Sequence, residues 1–289
     1  MMNLLLLALL AQAVPTEVQV DAAWRKLKEE CARTEVPARV AAVKESLQTH
    51  HEKIIKALEE LLNGDSDPVR MAIAETLVTV DHPASADLLT AGLASNLKKP
   101  EVTKALLKSI GELGYQTSVT KLNDLMGRYG DGDVQAVMPE IIATVGALRS
   151  LNSVDPLLAL LARLEARSGK AAMNEEACRR EVEVALNGLL GEDFKKVADW
   201  KQWWTAYKED LRGMVLRTYW VKATHQRVQV KPGERAPADS VLVWSRLPPE
   251  SRTSAGTRAS SPGRPPRNLL HTDPASLPPS FMACWLHLR

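Results

Sequence analysis

The chain has 289 residues, of which 45% are hydrophobic and 4% aromatic, and its formal net charge is +2. Residues 231–289 carry +4, so the rest of the chain carries −2. A slightly acidic body argues against a nucleic-acid groove, which needs a basic patch or stripe. The scarcity of Phe and Tyr argues against a large sandwich or barrel, whereas abundant Leu, Ala and Val suit packed helices.

The N-terminus is typical of a signal peptide. The apolar run Leu4–Leu10 precedes Ala11-Gln12-Ala13, which fits the small-residue pattern of a cleavage site. The run is too short to span a membrane, which needs about 20 apolar residues. We therefore predict a signal peptide at residues 1–13 and an exported protein. The segment before the run has no Lys or Arg, which leaves a buried N-terminal helix as the alternative.

Residues 14–36 predict an extended lead-in followed by a short helix. Asp21 is placed to cap this helix, which runs to about Arg33. One face of the helix is apolar and contains Trp24, Leu27 and Cys31. After Pro37, residues 38–62 predict a helix or a helix pair that stops at Asn63-Gly64.

A motif recurs with a period of 32 to 35 residues through the middle of the chain. It opens three helices, at Asp67-Pro68-Val69-Arg70, Pro100-Glu101-Val102 and Asp133-Val134. The partner helices keep the period through Leu89, Leu122 and Leu157. A fixed period in this range is typical of stacked helix pairs. We predict an all-α protein, an α-solenoid of stacked antiparallel helix pairs with a disordered C-terminal tail.

The first unit resembles a HEAT repeat. Its segment Asp67–Leu77, with Val69-Arg70 followed by Ala72 and Ala74, is similar to the Asp, Val-Arg and Ala pattern of the first helix in such repeats. The later units keep the apolar positions but have Thr103 and Gln135 in place of the Arg. Armadillo repeats add a third helix, for which these units have no room. The resemblance defines a HEAT-like domain at residues 37–190 and implies a scaffold that binds a protein partner.

Residues 191–213 predict a Trp-rich capping helix. Its sequence Gly191-x-Asp193-Phe194, followed by Trp-x-x-Trp-Trp, is similar to the C-terminal element of some exported bacterial HEAT-like proteins. We predict that three indoles close the end of the stack: Trp200, Trp203 and Trp204. The alternative is a platform that stacks on a sugar or binds a cation, but an aromatic stripe at helical spacing is usually core.

The last segments change in character. Residues 214–230 are compatible with short strands, because apolar and polar residues alternate around Val221 and Val228. Residues 231–289 are rich in Pro, Arg and Ser and hold ten of the 17 prolines. Such a composition buries too little apolar surface to offset the entropy of ordering. We therefore predict a disordered tail there.

The sequence predicts no catalytic, cofactor or metal residues. His50-His51-Glu52 places adjacent histidines about 100° apart on a helix, and a shared metal needs i, i+4 spacing. Asp65-Ser66-Asp67 and Asp131-Gly132-Asp133 lack the remaining ligands of a calcium loop, so capping explains them better. The three cysteines form no metal or redox motif. Pairing of Cys31 with Cys178 stays open, although isolated thiols are favoured.

These observations predict an exported, non-catalytic scaffold that mediates protein–protein interaction. The second helices of the pairs are expected to form the binding face, with four outward candidates: Lys121, Asp124, Arg128 and Arg163. Two alternatives remain. One is a HEAT-like enzyme of the lyase or glycosylase type, which should be intracellular and, if a glycosylase, carry a basic concave face. The other is a purely structural domain of an envelope assembly.

Overall fold

The chain is mostly helical and carries a small antiparallel sheet. The computed structural model describes residues 15–167 and 173–246, and helices account for 70% of them. The predicted helical character is therefore confirmed, but the prediction of an all-α protein is wrong. The predicted signal peptide at residues 1–13 lies outside the described residues, as does the predicted tail from residue 247 onward.

The helices follow one another with short connections. In chain order they are α1 (Glu17–Cys31), α2 (Val36–Ser46), α3 (Glu52–Ala57), α4 (Glu59–Gly64), α5 (Asp67–Leu77), α6 (Pro83–Asn96), α7 (Pro100–Leu113), α8 (Val119–Gly127), α9 (Gly132–Gln135), α10 (Met138–Leu148), α11 (Val154–Ala166), α12 (Met173–Leu190) and α13 (Val197–Gly213). Short 3-10 turns occur at Leu47–Thr49, Gln116–Ser118 and Leu151–Ser153.

The first helix begins earlier than the sequence predicts. Thr16 caps α1, because its side chain accepts from the Gln19 N–H while the Gln19 side chain accepts from the Thr16 N–H at 2.9 Å. This reciprocal capping box satisfies two donors that a helix start leaves open. The prediction that Asp21 caps the helix is wrong. Its carboxylate instead pairs with Lys53 at 2.6 Å and so joins α1 to α3.

Alternate helices pack in two rows. In the first row, α2 contacts α5, α5 contacts α7, α7 contacts α10, and α10 contacts α12. In the second row, α3 and α4 contact α6, which meets the 3-10 turn Gln116–Ser118 just before α8. The row then continues from α8 to α11 and from α11 to α13, which are in contact pair by pair. The core lies between the rows, where the repeat residues Val69, Val102 and Val134 are at most 1% exposed.

Side chains also join successive units at the spacing of the repeat. The bonded residues are 32 to 37 positions apart, and examples are Asn96 Nδ2 to Leu62 O, Gln116 Nε2 to Leu148 O, Thr144 Oγ1 to Leu107 O and Arg163 Nη2 to Met126 O. Each bond satisfies a backbone carbonyl of the neighbouring unit. Polar contacts thus follow the same period as the apolar core.

The residue after the repeat Val ties each unit to the segment before it. Arg70 Nε donates to Asp65 O at 2.7 Å, and Thr103 Oγ1 donates to Asn96 O at 2.6 Å. In the third unit, Gln135 accepts from the Gly130 N–H at 3.2 Å. The later units have therefore replaced the Arg without losing its link to the preceding connection.

The first helix of the third unit is broken, where the sequence predicts a continuous helix. It consists of α9 and α10, which are separated at Ala136 and Val137. Pro139 lies in the first turn of α10 and has no N–H to bond the carbonyl of Gln135. The break therefore lies where a continuous helix would have clashed with the proline ring.

Helices α10 and α12 approach each other closely at Gly146. A Cβ atom placed on Gly146 would lie 3.1 Å from Ala185 Cβ and 3.3 Å from Ala185 Cα. Two small residues thus allow the two backbones to pack without an intervening side chain. The contact explains why a glycine stands inside an otherwise apolar helix, where it costs about 1 kcal/mol of helix propensity.

A three-stranded sheet follows α13. Its strands are β1 (Leu216–Val221), β2 (Gln226–Val230) and β3 (Ser240–Arg246), in the antiparallel order β2-β1-β3. β1 and β2 lie in residues 214–230, the segment that is compatible with short strands by its sequence. The predicted disorder from residue 231 is wrong for β3, which contains a short run of β-formers, and Val243 in that run is fully buried. The composition of the long Pro- and Arg-rich segment had obscured this run.

Candidate interaction surface

Three of the four predicted partner-binding residues lie on the outer side of α8 or just after it. Lys121 is half-buried, whereas Asp124 and Arg128 are exposed. Arg128 pairs with Asp131 through Nε and Oδ2 at 2.9 Å, and both side chains remain about half exposed to solvent. The surface therefore presents charges of both signs at helical spacing, with side chains that are free to reorient toward a partner.

Arg163 differs from these three residues. Its Nη1 donates to Gly127 O at 3.0 Å and its Nη2 to Met126 O at 2.9 Å. These are carbonyls at the C-terminal end of α8, where the helix dipole favours a cation. The guanidinium also lies 5.8 Å from the ring of Tyr129. Arg163 is thus engaged in joining α11 to α8.

Two of the three predicted capping indoles are buried. Trp200 is 1% exposed and donates through Nε1 to Phe194 O at 3.0 Å. Trp204 is 3% exposed and donates to Asp155 Oδ1 at 2.8 Å, which joins α13 to the first turn of α11. A buried indole with a bonded N–H is typical of a structural aromatic residue.

Trp203 is placed differently. It is half-buried and lies between Phe194, at 6.4 Å between ring centroids, and Tyr207, at 5.1 Å. These three rings form a strip on the outer part of α13 and still pack against the core. Trp203 therefore does not share the closed environment of the other two indoles.

Arg39 and Asp65, which line a shallow cavity beside α2, form contacts between helix ends, whereas the buried Ser66 Oγ in the same lining has no hydrogen-bond partner among the described residues. This cavity of about 460 Å³ is lined by Arg39, Asp65 and Cys31, among others. Arg39 donates to Arg33 O at 2.9 Å, to Thr34 O at 3.0 Å and to Asp65 Oδ1 at 2.9 Å. Burial raises the pKa of the Cys31 thiol, so little thiolate forms at neutral pH. These groups hold the ends of α1, α2 and α4 together.

The structure also shows the surroundings of the cysteines and of His51. Cys31 and Cys178 are free thiols, and burial raises the pKa of Cys178 to about 11. His51 caps α3, since its Nδ1 accepts from the Lys53 N–H at 3.1 Å. Within residues 15–167 and 173–246, no three His, Cys, Asp or Glu side chains converge in a way that fits a metal ion.

No pattern in the sequence indicates the junction between the sheet and the helices. Arg227 of β2 donates from Nε to Asp81 Oδ2 at 2.8 Å and from Nη2 to Leu113 O at 3.1 Å. Tyr115 donates to the same carboxylate at 2.8 Å, and the Arg227 guanidinium lies 5.1 Å from its ring. Burial and the Asp81 charge raise the pKa of Tyr115. Desolvation lowers the pKa of Arg227, but its bonds to Asp81 outweigh this and raise it.

Aromatic rings complete the junction. Trp220 of β1 is 3% exposed, and its ring centroid lies 4.8 Å from that of His82 and 5.2 Å from that of His225. His82 caps α6 through Nδ1, which accepts from the Ala84 N–H at 3.1 Å. His225 lies in the turn between β1 and β2 with a φ of 52°. His51 lies outside these ring contacts and caps α3, which packs against α6. We call His51, His82, His225 and Trp220 the histidine cluster.

Comparison with protein-family models and with curated proteins gives no match for this chain. In the part of the chain that the structure describes, no helix combines the length and the apolar character needed to cross a membrane.

Proposed function

We propose that the chain is a HEAT-like scaffold, an α-solenoid whose helix pairs present a surface to a protein partner. The observation that carries this proposal is the set of side-chain bonds between residues 32 to 37 positions apart, together with the contacts within two rows of helices. Stacked repeats contact mainly their neighbours, so contacts at one repeat length are what such an architecture requires. We further propose that Trp200 and Trp204 seal its C-terminal end.

The proposed binding face is the outer side of α8, with Lys121, Asp124 and Arg128. Exposed charges of both signs suit a partner of complementary pattern, because such charges set orientation and association rate. Arg163 is not assigned to this face, since its two terminal nitrogens are bonded to carbonyls of α8. It is instead expected to keep α8 in place beneath the binding residues.

Charge reversal tests this face. The triple variant Lys121→Glu, Asp124→Lys and Arg128→Glu is compared with the wild type in affinity capture from the native envelope fraction, with mass-spectrometric identification. The control reverses the exposed pair on α7, Lys108→Glu with Glu112→Lys, which leaves the net charge unchanged, whereas the α8 variant lowers it by two. We expect the α8 variant to lose partners that both other proteins retain. Identical partner sets for all three proteins would reject this face.

We also propose that the protein is exported and acts outside the cytoplasm. The support is the apolar run and the cleavage pattern at residues 1–13. N-terminal sequencing of the protein from its native source, with fractionation of the cells, tests this directly. We expect a mature protein that starts at Val14 in the envelope or the medium. An intact Met1 in the cytosol would contradict export and favour the enzyme alternative.

A further inference from the structure

Two histidines cap neighbouring helices of the second row. His51 accepts from the Lys53 N–H at the start of α3, and His82 accepts from the Ala84 N–H at the start of α6, both through Nδ1 at 3.1 Å. An imidazole nitrogen can accept a hydrogen bond only while it carries no proton. Protonation on Nδ1 therefore breaks the cap and adds positive charge at a helix N-terminus, which already carries positive partial charge.

One of these two rings, His82, also lies where the sheet packs on the helices. His82 and His225 both lie against the Trp220 ring, and their own ring centroids are 6.4 Å apart. His225 belongs to the sheet, whereas His82 belongs to the helices. A proton on each would thus place two positive charges across the junction. The Nε1 of Trp220 is buried and, among the described residues, has no hydrogen-bond partner, so no polar bond holds the indole there.

We propose that the histidine cluster is an acid-sensitive latch, which holds the three-stranded sheet on the helices at neutral pH and releases it when the imidazoles are protonated. The proposal does not rest on the scaffold function. It concerns only the equilibrium between a docked sheet and an open one.

Other charged groups face the histidine cluster, and some favour protonation of His82 while others oppose it. Glu52 and Asp81 favour a protonated His82, whereas His51 and His225 oppose it. Both carboxylates already have cationic partners, because Glu52 pairs with Lys56 at 2.6 Å and Asp81 pairs with Arg227.

The net effect on His82 favours the neutral ring. Burial, the largest cause, and the neighbouring histidines lower the pKa of His82 from its ordinary value of 6.5. An open sheet exposes His82, which then takes up a proton near pH 6.5. The open state therefore binds more protons than the docked state, and docking is strongest above pH 6.5 and weakens as the pH falls below it. The requirement that His82 stay neutral changes the docking equilibrium by up to about tenfold per pH unit in this window.

The measurement is amide hydrogen exchange of the full chain at about pH 7.5 and about pH 5.5, which span the titration of an ordinary histidine. Rates are corrected for the intrinsic pH dependence of exchange, and amides of α10 serve as the internal reference. We expect protection in β1, β2 and β3 to fall about tenfold or more at the lower pH while α10 stays protected. Equal protection of the sheet at both pH values would overturn the proposal.

The triple variant His51→Asn, His82→Asn and His225→Asn removes the titration. Asn is a good N-cap and tolerates the left-handed backbone of residue 225, so the backbone roles are kept. The ring contacts are lost at every pH, and the readout is therefore the change with pH. We expect the fall in protection to shrink to less than about threefold. A full fall in the triple variant would overturn the assignment to these histidines.

Two control variants separate the latch from its surroundings. His50→Asn changes the neighbouring histidine, which has a left-handed backbone conformation after the 3-10 turn Leu47–Thr49 that Asn tolerates. Asp87→Asn removes a carboxyl of α6 whose pKa is raised by burial. Both variants should keep the fall seen in the wild type. If Asp87→Asn alone abolished it, the carboxyl and not the histidine cluster would be the sensor, and the proposal would fail.

If the triple variant does not fold, the titration of His82 in the wild-type protein tests the latch instead. The imidazole proton resonances of His82 are followed by NMR from neutral to acidic pH. A midpoint below 6.5 with simultaneous loss of the sheet signals supports the latch. An ordinary midpoint with an unchanged sheet overturns it.

Discussion

Replacement of Arg70 by Met tests whether the polar tether between units stabilises the fold. Arg70 is 7% exposed, and it donates through Nε to Asp65 O and through Nη1 to Asn96 Oδ1, both at 2.7 Å. Met fills much of the same space but donates to neither oxygen. A buried acceptor left without a donor costs about 1–3 kcal/mol. We therefore expect Arg70→Met to lower the free energy of unfolding by about 2–4 kcal/mol.

Denaturant unfolding of the full chain, followed by far-UV circular dichroism, measures this loss. Repeat proteins can unfold in parts, so the slope and the number of transitions are compared as well as the midpoint. Arg128→Met is the matched control, because Arg128 is exposed and its pair with Asp131 is solvated. We expect that control to lose less than about 0.5 kcal/mol. Equal losses of unfolding free energy in the two variants would show that the hydrogen bonds of Arg70 do not stabilise the fold.

A double-mutant cycle isolates the bond between Arg70 and Asn96. Asn96 is fully buried, and its Nδ2 also donates to Gly92 O at 2.8 Å and to Leu62 O at 3.2 Å. Asn96→Leu therefore has a cost of its own, and only the coupling energy reports the shared bond. We expect a coupling of about 1–3 kcal/mol. A value near zero would mean that Arg70 acts through packing of its aliphatic stem.

Two further perturbations test the helix contact and the sheet junction. Gly146→Leu should lower the stability of the protein by about 2 kcal/mol despite a better helix propensity, because a Cβ atom at this position already meets Ala185. In contrast, Gly188→Ala should be neutral or stabilising by up to about 1 kcal/mol, because a Cβ atom there meets open space. Thermal unfolding checks both, and a stable Gly146→Leu protein would contradict the close approach. Arg227→Gln should lower protection of the sheet amides about tenfold in hydrogen exchange by removing the paired bonds to Asp81. A similar loss throughout the helices would show that the effect is not confined to the sheet.

The helical period could be predicted because its signals are local. Pro68 and Pro100 lie in the first turns of α5 and α7, as the sequence indicates, and both helices start at or just before these residues. The apolar positions that follow are spaced for one face of a helix. A hydrophobic stripe of this kind must be buried against another helix, so a period in the sequence becomes a period in the packing.

The roles of long polar side chains could not be predicted in the same way. Helical spacing gives the direction of a Cβ but not the reach of the side chain beyond it. Arg163 has an outward position by spacing, yet its guanidinium extends to the last carbonyls of α8. Arg70 shows the same effect, because it bonds the backbone of Asp65 and not the carboxylate of Asp67, which does not cap α5 and pairs with Lys99 instead.

The sheet junction had no local signal. Arg227 and Asp81 are 146 residues apart, and neither belongs to a motif. β3 is a seven-residue strand inside a long segment whose average composition favours disorder. An average over many residues cannot detect a short strand whose stability comes from pairing with β1 and burial of Val243.

The latch and the proposed binding face meet at one end of α8. The sheet packs on the turns that precede α6 and α8, through Asp81 and the 3-10 turn Gln116–Ser118. Lys121 lies in the first turn of α8, close to that turn in sequence, whereas Arg128 follows the last turn. Release of the sheet by acid would therefore alter the surroundings of Lys121 and leave those of Arg128 unchanged. We expect a partner that reaches the turns to bind differently at about pH 5.5 and about pH 7.5, and that difference should vanish in the triple Asn variant. A partner whose binding depends on Arg128 alone should bind equally at both pH values.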